Sequence, residues 1–228
     1  MQHLLFTALL AVTLPACAQK EKQQMTQTTQ NATQQLIQAV LANNPERITA
    51  ALADGANLEA KDSDGRTPLL LAVRGNHIQA AQSLINAGAN VNAQDHMQDS
   101  PFLYAGAAGQ TMIVLMCMRA GADYKVYNRY GGSALIPACE RGHVATVKAL
   151  LTDKNFPVDH INRLGWTGLL EAVILSDGGP NHVEIARLLL AAGANVNLAD
   201  KDGVTPLAHA RQKKQKEMAA LLEKAGGK

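Results

Sequence analysis

Thr67-Pro68-Leu69-Leu70-Leu71-Ala72-Val73-Arg74-Gly75-Asn76-His77, followed by Ile78 to Ile85 and then Ala87-Gly88-Ala89-Asn90, is the stretch from which the rest of the chain can be read. Its opening is a helix start. The Thr67 hydroxyl can accept from an otherwise orphan backbone N–H, and Pro68 takes the first helical position, where a missing N–H costs nothing. Leu69, Leu71, Ala72 and Val73 give this helix an apolar side, and Asn76-His77 makes a tight turn. A second apolar stretch follows from Ile78. Gly88 ends it in the left-handed conformation that only Gly adopts with little strain. Asn90-Val91-Asn92 is a short extended piece.

The pattern recurs. Ser100-Pro101-Phe102 stands 33 residues after Thr67-Pro68-Leu69, Ser133-Ala134-Leu135 another 33, Thr167-Gly168-Leu169 a further 34 and Thr205-Pro206-Leu207 a further 38. A second phrase keeps step: Asp54-Gly55-Ala56-Asn57, Ala87-Gly88-Ala89-Asn90, Ala120-Gly121-Ala122-Asp123, Ala192-Gly193-Ala194-Asn195 and Ala225-Gly226. Each unit reads helix, turn, helix, hairpin loop. One unit cannot bury its own apolar face, so neighbours must stack. A period near 33 with Thr-Pro-Leu at the unit start resembles the ankyrin repeat. The expected fold is all-α: an ankyrin-repeat solenoid of about six helix-turn-helix units with hairpin loops, over residues 34–228.

The first unit begins near Gln34 and lacks Thr-Pro-Leu, as a cap would; its second helix is expected at about Pro45 to Ala53. The last is also atypical, with Gln215, Lys216 and Glu223 as the polar outer face a terminal cap needs. Four departures stand out. Gln98 takes the place of Gly65, Gly165 and Gly203. Pro137 lies about four residues into a helix, where it should distort the first turn. Thr152 to Val158 replaces the Ala-Gly-Ala phrase, and Ser176 to Pro180 is an insertion of five residues between two helices.

The chain ahead of the repeats has another character. Leu4 to Ala16 is an apolar run of about 13 residues, too short for a spanning helix of roughly 20 and suited to the core of a secretory signal. Leu14-Pro15-Ala16-Cys17 resembles the lipobox of bacterial lipoproteins, which implies acylation of Cys17; Pro15 departs from the usual small residue. Ala16-Cys17-Ala18 also fits ordinary cleavage before Gln19. The adopted division is 1–17 signal, 18–33 polar linker and 34–228 repeat domain. It implies a periplasmic protein, held at the outer membrane if Cys17 is acylated, and touching a membrane only through that anchor.

Charge and cysteines narrow the function. Net charge is +2 from 21 basic and 19 acidic residues. The one basic cluster, Arg211, Lys213, Lys214 and Lys216, reads as a solvated end cap, so no nucleic-acid partner is expected. Cys117 and Cys139 stand at core positions of adjacent units, as buried thiols or as a disulfide pair. His77, His143 and His182 share one repeat position at the inter-helix turn and are structural. No ligand spacing marks a metal site, no fingerprint marks a cofactor, and no enzyme motif is present.

The informative residues are at the hairpin tips. The resemblance implies that these tips, with the exposed side of the first helices, form a concave binding face. The tips of the fourth and fifth units read Tyr127-Asn128-Arg129-Tyr130 and Ile161-Asn162-Arg163-Leu164-Gly165-Trp166. Tyr, Trp and Arg are the types most enriched at binding hot spots. Tyr127, Arg129, Tyr130, Arg163, Leu164, Trp166 and Met97 are therefore the candidate partner-binding set, with Arg74, Glu140 and Arg141 at its edges. The outer tips, Asp62-Ser63-Asp64 and Asp200-Lys201-Asp202, read as merely charged. The expected function is an exported, monomeric adaptor for a protein partner. Two family-level roles fit: neutralising a toxin, as immunity proteins do, or supporting an envelope enzyme such as catalase. The alternatives are a hydrolase with a site around Asp159 and His160, and a passive structural protein of the envelope.

Overall fold

The computed structural model describes residues 13–228, with side chains from Ala18 onward. The apolar run read as a signal and the Cys17 side chain lie outside the residues so described. Twelve helices follow in pairs: α1 (Thr13–Leu41) with α2 (Pro45–Ala53), α3 (Pro68–Arg74) with α4 (Ile78–Asn86), α5 (Pro101–Ala107) with α6 (Thr111–Arg119), α7 (Leu135–Glu140) with α8 (Val144–Leu150), α9 (Gly168–Ile174) with α10 (Pro180–Ala191), and α11 (Pro206–Gln212) with α12 (Lys216–Lys224). Among the described residues there is no β-strand. The fold is the ankyrin-repeat solenoid expected from the period.

The packing is one-dimensional. Each helix meets its partner within the unit and the equivalent helix of the next unit, so odd-numbered and even-numbered helices form two layers. The seam between them is one continuous apolar cluster from Leu36 to Leu222. Leu69, Leu84, Ile113, Leu150, Ile185 and Leu189 are fully buried along it. Full burial of such a side chain contributes on the order of 1.5–3 kcal/mol, and each needs the neighbouring unit to close over it.

Local chemistry sets the helix starts. Thr67, Ser100, Thr167 and Thr205 accept from the backbone N–H groups of Leu70 (3.2 Å), Leu103 (3.2 Å), Leu170 (3.2 Å) and Ala208 (3.3 Å). The next bond, from the N–H four residues past the cap to the cap carbonyl, closes the first turn in these units. In the fourth unit that N–H would belong to Pro137, which has none. Helix α7 accordingly starts one residue late at Leu135, and the buried Ser133 hydroxyl is left without a partner.

The turns between helices use a left-handed residue at Asn43, Asn76, Gly109, Gly142 and Lys214 (φ 49°, 52°, 71°, 72° and 57°). After Gly109, Gly142 and Lys214 the next side chain ties units together, and His182, inside α10, does the same from the matching repeat position. Gln110 Nε2 donates to the Val73 carbonyl (2.9 Å), His143 bonds that of Ala107, His182 Nε2 meets that of Glu140 (2.9 Å), and Gln215 Nε2 donates to that of Val173 (3.0 Å). Each carbonyl lies at the C-terminal end of the preceding unit's first helix, where it has no partner within the helix. The structural reading of His143 and His182 agrees with these bonds. Burial pushes His143 below the usual histidine range, against the Ala107 bond.

Several local expectations are corrected. Gln215 was expected on the polar outer face, and it is buried with its amide on Val173 and Ser176. Met218 and Leu222 complete the inner side of α12, while Lys216 and Glu217 face solvent. Cys117 and Cys139 are both buried and unpaired, with burial pushing the Cys117 thiol up to about 12. The irregular loop after α8 folds Phe156 into the core beside Tyr124, ring centroids 4.7 Å apart, and Tyr124 in turn stacks toward Phe102 at 5.9 Å. The insertion gives α10 an earlier start, at Pro180, and a length of 12 residues. The polar stretch 18–33 is the exposed leading part of α1, in which no residue before Ala32 is buried. Its Gln, Lys, Glu, Ala and Met residues are good helix formers.

Gln98 is left-handed (φ 60°) at the tip position where Gly65, Gly131, Gly165 and Gly203 stand. That conformation costs a side chain about 1–2 kcal/mol, and the added freedom of Gly returns about 0.5–1 kcal/mol of it. Gln98→Gly is expected to raise the melting temperature by roughly 1–3 °C. Gly131→Gln should lower it, because a Cβ there would also press on Arg163 Cγ at 3.0 Å. Paired thermal melts by circular dichroism check both signs.

Candidate interaction face

Each hairpin tip is built around one Asp or Asn: Asp62, Asp95, Asn128, Asn162 and Asp200. Its Oδ1 accepts the N–H groups two and four residues on. At Asn162 these are Leu164 (2.9 Å) and Trp166 (3.0 Å); at Asn128, Tyr130 (2.9 Å) and Gly132 (2.9 Å); at Asp95, Met97 (2.9 Å) and Asp99 (2.9 Å). Asp62 and Asp200, read from sequence as mere surface charge, do the same for Asp64 and Arg66 and for Asp202 and Val204. The side chain of such a residue replaces backbone partners the loop lacks.

In the last two units the organiser is also tied to the first helix. Asn162 Nδ2 donates to Glu171 Oε1 (2.9 Å), and His209 Nε2 lies 2.7 Å from Asp200 Oδ2. Donation from the Val204 N–H, which outweighs burial, and from His209 holds the Asp200 carboxyl below its usual range. Leu71, Tyr104 and Pro137 occupy the matching helix position in the other units; Leu71 and Pro137 have no polar side-chain group to make this tie, and the Tyr104 ring lies against Arg74 instead.

The candidate residues fall into three situations. Met97, Tyr130 and Leu164 are exposed at 51%, 54% and 51%, on successive tips. Arg129 and Arg163 are also exposed; the Arg129 guanidinium lies 4.7 Å from the Tyr130 ring centre, and Arg163 donates to the Arg129 carbonyl (2.7 Å). Tyr127 and Trp166 are half-buried. Tyr127 stacks flat on His160 at 4.1 Å, so this aromatic packs against the neighbouring loop. Trp166 is held by its backbone, N–H to Asn162 Oδ1 and carbonyl to the Asn162 N–H (3.0 Å).

Sequence reading missed a second set on the same side. Tyr104 on α5 carries the Arg74 guanidinium 4.8 Å above its ring. Asp99 is raised by burial and by Asp95, and opposed by the charges of Arg129, Arg74 and Arg141. The charges that act on it thus come from α3, from Arg141 just past α7 and from the fourth tip, so the edge residues Arg74 and Arg141 share an electrostatic environment with the tips. Reading the positions of Leu71, Tyr104, Pro137, Glu171 and His209 as one row would have found this side from the sequence.

The residues of the hydrolase reading are otherwise engaged. His160 Nε2 lies 2.7 Å from the Gly131 carbonyl, and Asp159 accepts the Asn195 N–H through both oxygens (3.0 and 3.1 Å). Both act as ties between units. Among the described residues no group of three or more His, Cys, Asp or Glu side chains is placed to hold a metal.

Glu171 gives the face a pH dependence. Burial, with Glu140 beside it and against the Asn162 bond, pushes its carboxyl from 4.5 up to about 7. Below pH 4.5 the folded and unfolded chains both hold this proton. As pH rises toward 7 the folded chain holds it more tightly, so stability falls, and above 7 the full cost of a buried carboxylate is present. Glu171→Gln removes this term. Its melting temperature is expected to match wild type near pH 4 and exceed it by roughly a few degrees at pH 8. Thermal melts at both values check it.

Comparison with known proteins agrees with the architecture. The chain matches the family model for ankyrin repeats (3 copies) over residues 10–95, 36–128 and 102–200. It is 47% identical over 104 residues to YahD of Escherichia coli (strain K12), a protein named as an ankyrin repeat protein; that stretch is 46% of this chain and 52% of YahD, so the chain spans about half the length of the curated relative it matches. Among solved structures it is similar to an ankyrin repeat domain from Acinetobacter baumannii AYE, at 52% identity and TM-score 0.81, covering 85% of this chain and 98% of that one. It is similar to the ankyrin repeat protein EF0377, at 38% identity and TM-score 0.80, covering 84% and 97%. The ankyrin repeat domain of Bcl-3 shares the fold alone, at 24% identity and TM-score 0.76 over 85% and 86%. With the family model matched across most of its length and the solenoid seen in its helices, the chain belongs to the ankyrin-repeat family.

Proposed function

We propose that this protein is an exported, monomeric adaptor that holds a protein partner on the side shared by its hairpin tips and first helices. Ankyrin repeats are protein-interaction modules, and the observation that carries the reading is the exposure of Met97, Tyr130 and Leu164 on three consecutive tips that side-chain hydrogen bonds hold in shape. A preformed face loses little conformational freedom on binding, so more of the contact energy remains as affinity. Tyr130, Arg129 and Arg163 are the side chains of the hot-spot types, with Trp166 at the inner edge.

Export rests on the apolar run Leu4 to Ala16 and on Cys17. In this reading the mature chain is periplasmic and acylated at Cys17, on the outer membrane. The exposed helical stretch 18–31 then spaces the repeats from the bilayer by about 20 Å, at roughly 1.5 Å per residue. Among the described residues no helix is long and apolar enough to cross a membrane. Neutralising a delivered toxin and supporting an envelope enzyme both use such a tethered face.

Two measurements test the parts separately. Affinity capture from an envelope extract is expected to recover one partner with wild type and at least fivefold less with the Tyr130→Ala/Trp166→Ala variant, whose folding is checked by its melt; equal recovery would overturn the proposed surface. Cys17→Ser is expected to shift the protein from the membrane pellet to the soluble periplasmic fraction. An unchanged distribution would remove the lipid anchor and leave the binding face untouched.

A further inference from the structure

The tips present two rows in register. Two residues past each organising Asp or Asn stand Asp64, Met97, Tyr130, Leu164 and Asp202; one residue past stand Ser63, His96, Arg129, Arg163 and Lys201. The first row is apolar and exposed in its middle three members and acidic at both ends. The second is basic along most of its length. The second and third tips, and the fourth and fifth, are joined through the backbone, His96 N–H to the Asp64 carbonyl (3.0 Å) and Arg163 N–H to the Tyr130 carbonyl (2.9 Å), and Gln94 links the third to the fourth by donating Nε2 to the Tyr127 carbonyl (2.8 Å). Arg163 and Lys201 place their head groups on the carbonyls of Arg129 and Arg163. Among the described residues no ion pair closes on Arg129, Arg163 or Lys201; Arg129 feels Asp95 and Asp99 through space, and Arg163 and Lys201 keep their charge for a partner.

This face has a repeat length. Each unit contributes two chain passes at the tip; passes joined by backbone hydrogen bonds, as within each hairpin and at two of the four junctions between tips, lie about 4.8 Å apart, so equivalent side chains recur about every 10 Å. The helices behind them pack at roughly the same 8–10 Å. A polyproline II chain has three residues per turn and rises about 3.1 Å per residue, so one of its faces repeats about every 9.3 Å. A β-extended segment covers that distance in three residues but turns residue i+3 to the other side. An α-helix returns to the same face after seven residues, about 10.5 Å, but its carbonyls are used internally. The carbonyls of a polyproline II chain are free, and the basic row offers donors to them.

We propose that the tips bind an extended polyproline II segment of the partner protein. Apolar side chains at positions i, i+3 and i+6 rest on Met97, Tyr130 and Leu164, and acidic side chains between them face Arg129, Arg163 and Lys201. The inference rests on the adaptor reading and specifies its partner. The segment needs only seven residues to cover three tips. Asp64 and Asp202 end the apolar contact on either side.

The test is a selection of random 12-residue display peptides on the immobilised full chain, followed by fluorescence anisotropy with the enriched peptides. Enrichment of apolar residues at three-residue spacing, with Pro and acidic residues between, is expected. Leu164→Ser and Met97→Ser should each weaken binding at least fivefold. Arg163→Gln/Lys201→Gln should weaken it and flatten its dependence on salt. Met112→Ser, on exposed α6, should change nothing. Enrichment of seven-residue spacing, of alternating or basic sequences, or of nothing would overturn the proposal. If that happens while envelope capture still depends on Tyr130 and Trp166, the adaptor reading stands and only the peptide chemistry falls. If capture is also independent of them, both fall.

Discussion

No unit of this protein can close over its own apolar side, and the next unit both closes it and bonds carbonyls at the end of its first helix. The apolar debt is met by the seam from Leu36 to Leu222. The polar one is met by a single repeat position, where Gln110, His143, His182 and Gln215 each reach back to the preceding unit. Burying a backbone carbonyl without a partner costs about 1–3 kcal/mol, so where no other donor reaches the carbonyl, as at Glu140 and Val173, these bonds help to fix the stacking register. Four side chains of two types serve one geometry, which is why histidines here carry structure.

The binding face is a by-product of the same stacking. Tips that are tied to their neighbours by backbone or side-chain bonds and closed internally by Asp or Asn side chains have little freedom to rearrange. Asn162–Glu171 and Asp200–His209 extend that closure to the helices in the last two units, with acidic and amide or imidazole roles exchanged between tip and helix. The fifth tip, which carries Leu164 and Trp166, is therefore coupled to a carboxyl that titrates near neutrality. In the second to fourth units Leu71, Tyr104 and Pro137 leave the matching position without such a group, and there the face is held by packing and by the pairing of Arg74 with Tyr104.

Much of this was legible in the chain because a repeat reports its own structure several times over. The Thr-Pro-Leu and Ala-Gly-Ala phrases located the helix starts and stops, and the shared repeat position of His143 and His182 pointed to the structural bonds that these two make. Pro137 announced a weakened first turn, and α7 starts late for the reason its missing N–H implies. The misreadings came where one residue type serves two ends. Asp62 and Asp200 looked like surface charge because nothing in their neighbourhood shows that their oxygens face inward to the loop's own N–H groups. Gln215 looked like solvated cap chemistry because the carbonyl it meets lies 42 residues away.

The sequence by itself determined the period, the two-helix unit, the two capping ends and the tips at which exposed side chains gather, because these follow from residue preferences over a few neighbouring positions. Only the tertiary structure decided which tip residues are free. Tyr127 and Tyr130 are three residues apart and alike in chemistry, yet one lies flat on His160 from the next unit and the other stands in solvent. That difference depends on contacts between units, which no local pattern encodes.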